Sequence, residues 1–88
     1  MKTKVKFMYN KKADDLFAFF PEIIEGTKAI PYQHRNQTLY LSYSHIGQHS
    51  EVCIDYVKES KEATEQQYND LAEELISIGY NLTILNNN

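Results

Sequence analysis

Two histidines and the chain's single cysteine have the residue types and spacing most suited to chemistry. His45, His49 and Cys53 follow one another in the pattern H-x3-H-x3-C. Imidazole nitrogen and thiolate sulfur are ligands that Zn²⁺ prefers, so a zinc site is predicted where the three side chains converge. In a continuous strand, His45 and His49 would lie about 13 Å apart. Convergence therefore needs a sharp turn at Gly47. The alternative is structural: His45 ends a half-buried sheet face, His49 hydrogen bonds within a turn, and no cofactor is expected.

The same cysteine would need an activating base to act as a nucleophile. A histidine and Asp55 lie near Cys53 in sequence, but the chain has neither a nucleophile-elbow signature nor a glycine-rich phosphate loop. Nucleotide hydrolysis by a P-loop is excluded. The sequence therefore leans away from an enzyme.

Three lysines and a tyrosine indicate a second kind of surface. Lys2, Lys4 and Lys6 alternate along the first predicted strand and share one face, near Tyr40. A basic stripe beside an aromatic ring suits single-stranded nucleic acid. Lysines on an edge strand also prevent aggregation between sheets, and the net charge of -3 opposes a dedicated nucleic-acid binder.

Charge is divided between the two halves of the chain. Residues 1–44 carry seven basic and four acidic side chains, whereas residues 45–88 carry two basic and eight acidic ones, giving +3 and -6. A predicted helix in the second half exposes Glu73 and Glu74. Such a face is solvated or docks a basic protein. Tyrosine is favoured at protein interfaces, and Tyr32 and Tyr40 are the candidates outside predicted buried faces.

Alternation of apolar and polar residues predicts strands at 4–9 and 38–46, and an apolar run predicts another at 16–20. Pro21 is expected to end the second strand because it has no N–H for a ladder. Residues 21–37 are interpreted as a long irregular loop. Residues 52–57 fit either a strand or one helical turn, and their β-branched residues favour the strand.

A helix is predicted from about 65 to 78. Thr64 and Gln67 form a capping box, and Gly79 suits the left-handed position after the last turn. The apolar stripe expected to be buried consists of Tyr68, Leu71, Ala72, Leu75 and Ile76. A final strand is predicted at 80–85.

These elements predict a small two-layer α+β domain spanning residues 1–88. A mostly antiparallel sheet of 3–5 strands carries one C-terminal amphipathic helix, about 65–78, on one face, followed by the strand 80–85.

Three segments together resemble a family of short uncharacterised bacterial proteins often encoded on mobile elements. They are Phe20-Pro21-Glu22, the run YSHIGQHS over 43–50, and the helical segment from Ala63 to Leu82. The resemblance implies one compact domain and a bacterial origin, and it implies no activity.

The function favoured by these observations is a small non-catalytic binding or accessory module that engages a protein partner or itself. Two alternatives stay open: a His/Cys zinc domain, structural or hydrolytic, and a single-stranded nucleic-acid binder. A single cysteine, no signal peptide and no apolar run long enough to span a bilayer lead us to expect a cytoplasmic protein without a membrane partner.

Overall fold

A computed structural model of the protein describes residues 2–30, 35–44 and 48–87. Along the chain its elements are β1 (Thr3–Asn10), β2 (Asp15–Ile30), β3 (Arg35–Ser44), β4 (Gln48–Cys53), α1 (Ile54–Glu59), β5 (Lys61–Glu62), α2 (Glu65–Ser77) and β6 (Leu82–Ile84).

The strands form one sheet in the order β4-β3-β2-β1-β5, and β6 also pairs with β1. Every pairing is antiparallel except that of β1 with β6. The parallel pair is continued by the Leu85 N–H, which donates to the Val5 carbonyl at 2.9 Å. Strand β4 therefore forms one edge of the sheet, and β5 and β6 lie along the other.

The segment predicted as a loop over 21–37 is largely strand, so that prediction was wrong. Strand β2 runs through Pro21 and forms a long hairpin with β3, whose pairs extend from Ala18 opposite Tyr43 to Ile30 opposite Arg35. Register shifts interrupt the ladder between Phe19 and Ile24 and again before Gly26. Because a bulge removes the need for a ladder N–H, the strand accommodates the proline that was expected to end it.

Each face of the sheet carries its own core, because side chains alternate along the strands. Helix α2 covers one face, where the buried residues are Val5, Phe7, Ala18, Phe20, Tyr43, Ala63, Tyr68, Leu71, Ala72 and Leu75. Helix α1 covers the other, where they are Met8, Phe17, Phe19, Val52 and Val57. The domain is therefore layered as helix, sheet and helix.

The bounds and caps of α2 follow the sequence closely. The Thr64 hydroxyl accepts from the Gln67 N–H at 3.3 Å, and the Gln67 side chain accepts from the Thr64 N–H at 2.8 Å, so the capping box is confirmed. The predicted stripe is buried except for Ile76, which is 56% exposed. That part of the prediction was wrong because the helix is at its last turn there and Ile76 faces away from the sheet.

The predicted fold was also wrong in the number and order of its elements. Within the described residues the sheet has six strands rather than 3–5, and α1 is a second helix, which covers the face opposite α2. The predicted C-terminal helix is followed by β6, which is shorter than the strand expected at 80–85. No helix in the described part of the chain is long and apolar enough to cross a membrane.

Candidate functional site

Strand β4 presents an open edge, called here the β4 edge and consisting of Gln48–Cys53. The strand pairs with β3 in unbroken register, from Ser44 opposite Gln48 to Leu39 opposite Cys53. In the described ranges no strand pairs with its other side. Since alternate residues of an antiparallel strand turn both N–H and C=O away from the partner, half of the six residues present unused backbone groups outward.

Strand β4 ends where α1 begins, and a side chain of β3 contacts the start of the helix. Arg35 donates from its guanidinium to the Asp55 carboxylate at 3.1 Å, in the first turn of α1. Both side chains are about half exposed, so the pair contributes little energy but orients the helix start. The β4 edge is thereby held between a paired strand and a packed helix.

A concavity of about 440 Å³ lies against the β4 edge and is lined by Glu25, His49, Ser50 and Glu51. His49 lies opposite Tyr43, whose side chain belongs to the core under α2. This first concavity is therefore on the α2 side of the sheet, and its charged side chains are the two carboxylates.

A second concavity, of about 310 Å³, lies against the same edge on the α1 side. Its lining residues are Asp15, Phe17, Ser42, Ser44, Ser50, Glu51, Val52, Cys53 and Tyr56. Phe17 and Val52 belong to the core under α1, which places this concavity on the opposite face from the first. Serine hydroxyls from two adjacent strands give it a polar floor.

One end of the second concavity is closed by Tyr56. Its hydroxyl donates to the Asp15 carboxylate at 2.9 Å, and its ring lies 5.5 Å from that of Phe17. Burial, followed by the hydrogen bond to Asp15, raises the pKa of Tyr56 to about 12. The phenol therefore stays protonated at neutral pH and acts as a donor to the carboxylate, without supplying a positive charge.

His49 is held by aromatic neighbours on the α2 side. Its ring packs edge-on to Tyr43 with centroids 4.9 Å apart, and its Nε2 atom lies 2.8 Å from the Tyr80 hydroxyl oxygen. The Tyr80 ring in turn stacks on Phe20 at 5.3 Å, and burial raises the pKa of Tyr80. The Tyr43 hydroxyl donates to the Glu74 carboxylate. These contacts give the His49 side chain a structural role that needs no metal ion.

The predicted zinc ligands are only partly described. His49 and Cys53 are four residues apart on one continuous strand, so they lie about 13 Å apart and do not meet. His45 lies outside the described residues. Within the described ranges no group of three or more His, Cys, Asp or Glu side chains is placed to hold a metal ion.

The predicted lysine stripe is flanked by carboxylates. Lys4 lies 3.7 Å from Glu22, and Lys6 lies 4.0 Å from Glu62. Lys2 is exposed. Two of the three positive charges therefore have an acidic side chain beside them, which weakens the field that a phosphate backbone would meet.

The remaining predicted surface residues have different environments. Tyr40 is half-buried, and its ring meets Phe19 edge-on at 5.3 Å. Glu73 is exposed on α2, whereas Glu74 is half-buried and accepts from the core tyrosine Tyr43. Tyr32 lies outside the described residues. Of the predicted acidic pair, only Glu73 behaves as a solvated group.

Sequence reasoning missed the acidic residues that line the two concavities, and it named His49 and Cys53 for a different role, as zinc ligands. Strand β4 itself had only a weak signal, since 48–51 is a run of four polar residues and only Val52 and Cys53 are apolar. Glu25 and Asp15 had none, because only the register of β2 and β3 brings them into the concavities beside β4. Comparison of the chain with protein families, characterised proteins and solved structures finds no match. The resemblance to short bacterial proteins therefore stays a prediction.

Proposed function

We propose that this protein is a small non-catalytic binding module that holds an extended segment of a partner protein along the β4 edge. The proposal includes a cytoplasmic location, supported by a lone cysteine that cannot form an intrachain disulfide.

The observation that carries the proposal is that the two concavities lie on opposite faces of the sheet and share Ser50 and Glu51 of the same edge strand. A segment added to an open edge gains affinity from main-chain hydrogen bonds. Its side chains alternate between the two faces, so a selective site needs a recess on each face. The β4 edge offers both.

The other two hypotheses have less support. A shared metal ion is opposed by the distance between His49 and Cys53 along the strand. Binding of a phosphate backbone is opposed by Glu22 and Glu62, which lie beside two of the three lysines. Neither argument bears on an added strand, which needs only backbone groups and space.

The test uses proline at two neighbouring positions of β4. One of Ser50 and Glu51 directs its N–H to β3 and the other directs it outward, because the two directions alternate. Proline is tolerated in an edge strand only where the N–H faces solvent. One of the variants Ser50→Pro and Glu51→Pro should therefore keep the fold, judged by its amide NMR spectrum.

Peptides selected from a random displayed library on the unaltered protein then serve as probes. We expect these peptides to shift the amide signals of 48–53 and of the residues lining the concavities. We expect the folded proline variant not to bind the peptides. Retention of these peptides by that variant, or shifts confined to another surface, contradicts the proposal.

A further inference from the structure

We infer that the segment taken along the β4 edge is basic and carries lysine or arginine side chains on both of its faces. The inference rests on the proposed function and deepens it by naming the partner's chemistry.

Acidic side chains border the edge on both faces of the sheet. Glu25 and Glu51 line the first concavity, and Asp15 supplies the carboxylate of the second, because alternation turns the Glu51 side chain to the same face as that of His49. In the described ranges neither is lined by a lysine or arginine. Glu25 and Glu51 form no ion pair within that part of the chain, and the Tyr56 hydroxyl on Asp15 brings no positive charge.

The geometry lets one basic segment reach carboxylates on both faces. Successive side chains of an added strand point to opposite faces, and those on one face repeat at about 6.6 Å. The long stems of lysine and arginine can lie along the apolar walls, such as Phe17 and Val52, while their charged heads reach the carboxylates at the rim.

The same charges argue against a second copy of the chain as the occupant. Antiparallel pairing of two β4 edges would bring Glu51 of each copy close to the other, and like charges across a ladder are destabilising. A charged edge prevents this self-pairing. A heterologous basic segment has the complementary charge.

The experiment compares three capped peptides with the six-residue length of β4. Repeats of Lys-Thr-Thr, Gln-Thr-Thr and Glu-Thr-Thr place the first residue of each triplet alternately on both faces. Each is titrated at low salt into isotopically labelled protein, and the amide NMR shifts give both the surface contacted and the affinity. Glu51→Lys is compared with Glu73→Lys, which makes the same charge change on the exposed face of α2.

We expect the lysine peptide to shift the signals of 48–53 and to bind more tightly than the glutamine peptide. Glu51→Lys should lower the affinity for the lysine peptide at least about fivefold and should raise the affinity for the glutamate peptide. Glu73→Lys should change each of these two affinities by less than half as much. Equal binding of all three peptides at β4 overturns this inference and leaves the proposed function standing.

Two other outcomes are equally decisive. If none of the three peptides shifts any β4 signal while library-selected peptides do, the inference of a basic segment is wrong and the proposed function stands; if neither kind shifts a β4 signal, both are overturned. If the β4 signals change with protein concentration alone and sedimentation shows a dimer, the occupant is a second copy and the inference of a basic segment is wrong.

Discussion

The Nε2 atom of His49 lies 2.8 Å from the hydroxyl oxygen of Tyr80, although the two residues are 31 positions apart. This contact ties the sheet's edge strand to the chain that leaves α2. Tyr80 is itself fixed, since its ring stacks on Phe20 and its N–H donates to the Leu75 carbonyl at 3.1 Å. The β4 edge is therefore anchored from within the domain while its outer side stays open to a partner.

Tyr80→Phe should lower the free energy of unfolding by about 1 kcal/mol, because it removes the hydroxyl and keeps the stacked ring. Urea denaturation measures the change, and amide hydrogen exchange should accelerate along 48–53. Tyr80→Ala should cost about 3 kcal/mol, since the stack on Phe20 is lost as well. Tyr40→Phe, which keeps its own ring contact with Phe19, is the control. Faster exchange at β4 in that control would contradict the anchoring role.

Gly79 is predicted to tolerate D-alanine but not L-alanine. It follows α2 with φ +113°, and its N–H donates to the Ile76 carbonyl at 3.1 Å, in the arrangement that closes helix C-termini. No atom lies within 4 Å of an added Cβ, so the penalty of L-alanine is conformational, about 1–2 kcal/mol. Synthetic chains with either enantiomer, compared by thermal unfolding, check this. Equal losses from both would show that steric crowding sets the penalty.

Alkaline pH should destabilise the protein partly through Tyr56. Its folded-state pKa is about 12, against the ordinary value of 10 that the unfolded chain retains. Between these values the unfolded state has lost a proton that the folded state still holds, so the free energy of unfolding falls as pH rises from about 10 to 12. Burial also raises the pKa of Tyr80, which adds to the decline.

The measurement is urea denaturation at a series of alkaline pH values for the unaltered protein and Tyr56→Phe. The variant should show a shallower decline with pH, because it has no phenol at this position. Asp15→Asn should have an intermediate slope, since it removes the charged acceptor while burial, the larger cause, remains. Identical slopes for all three would contradict the role of this pair.

The helix α2 could be predicted from sequence because all of its determinants are local. The capping box of Thr64 and Gln67, the apolar stripe and Gly79 lie within one continuous segment. Strand β1 and the start of β2 could also be predicted, since alternation indicates the first and an apolar run indicates the second. Such features need no knowledge of distant partners.

The long hairpin and the site required information that local patterns do not carry. Pro21 is a correct strand-ending signal for a regular ladder, but the register shifts in β2 remove the hydrogen bond it would have broken. Only the resulting pairing with β3 places Glu25 in the same concavity as Glu51 of β4. Asp15 reaches the opposite face through the same sheet order, so neither carboxylate could be assigned to a site from its neighbours in sequence.

The C-terminal tail is predicted to depend on one asparagine. The Asn86 side chain accepts from the Phe7 N–H at 2.8 Å and donates to the carbonyls of Phe7 and Ala63 at 2.9 Å each, joining β1 to the segment after β5. These bonds are partly buried, and truncation removes three of them and leaves the Phe7 N–H without its acceptor, so Asn86→Ala should lower the free energy of unfolding by about 2 kcal/mol. Asn87→Ala is the matched control, because the Asn87 contact with Glu62 uses the backbone N–H and survives the change. Urea denaturation gives the free energy of unfolding of both variants, and only Asn86→Ala should show the loss. Equal losses of stability in the two variants would show that the tail acts only through its backbone. The predicted role of the Asn86 side chain would then be wrong.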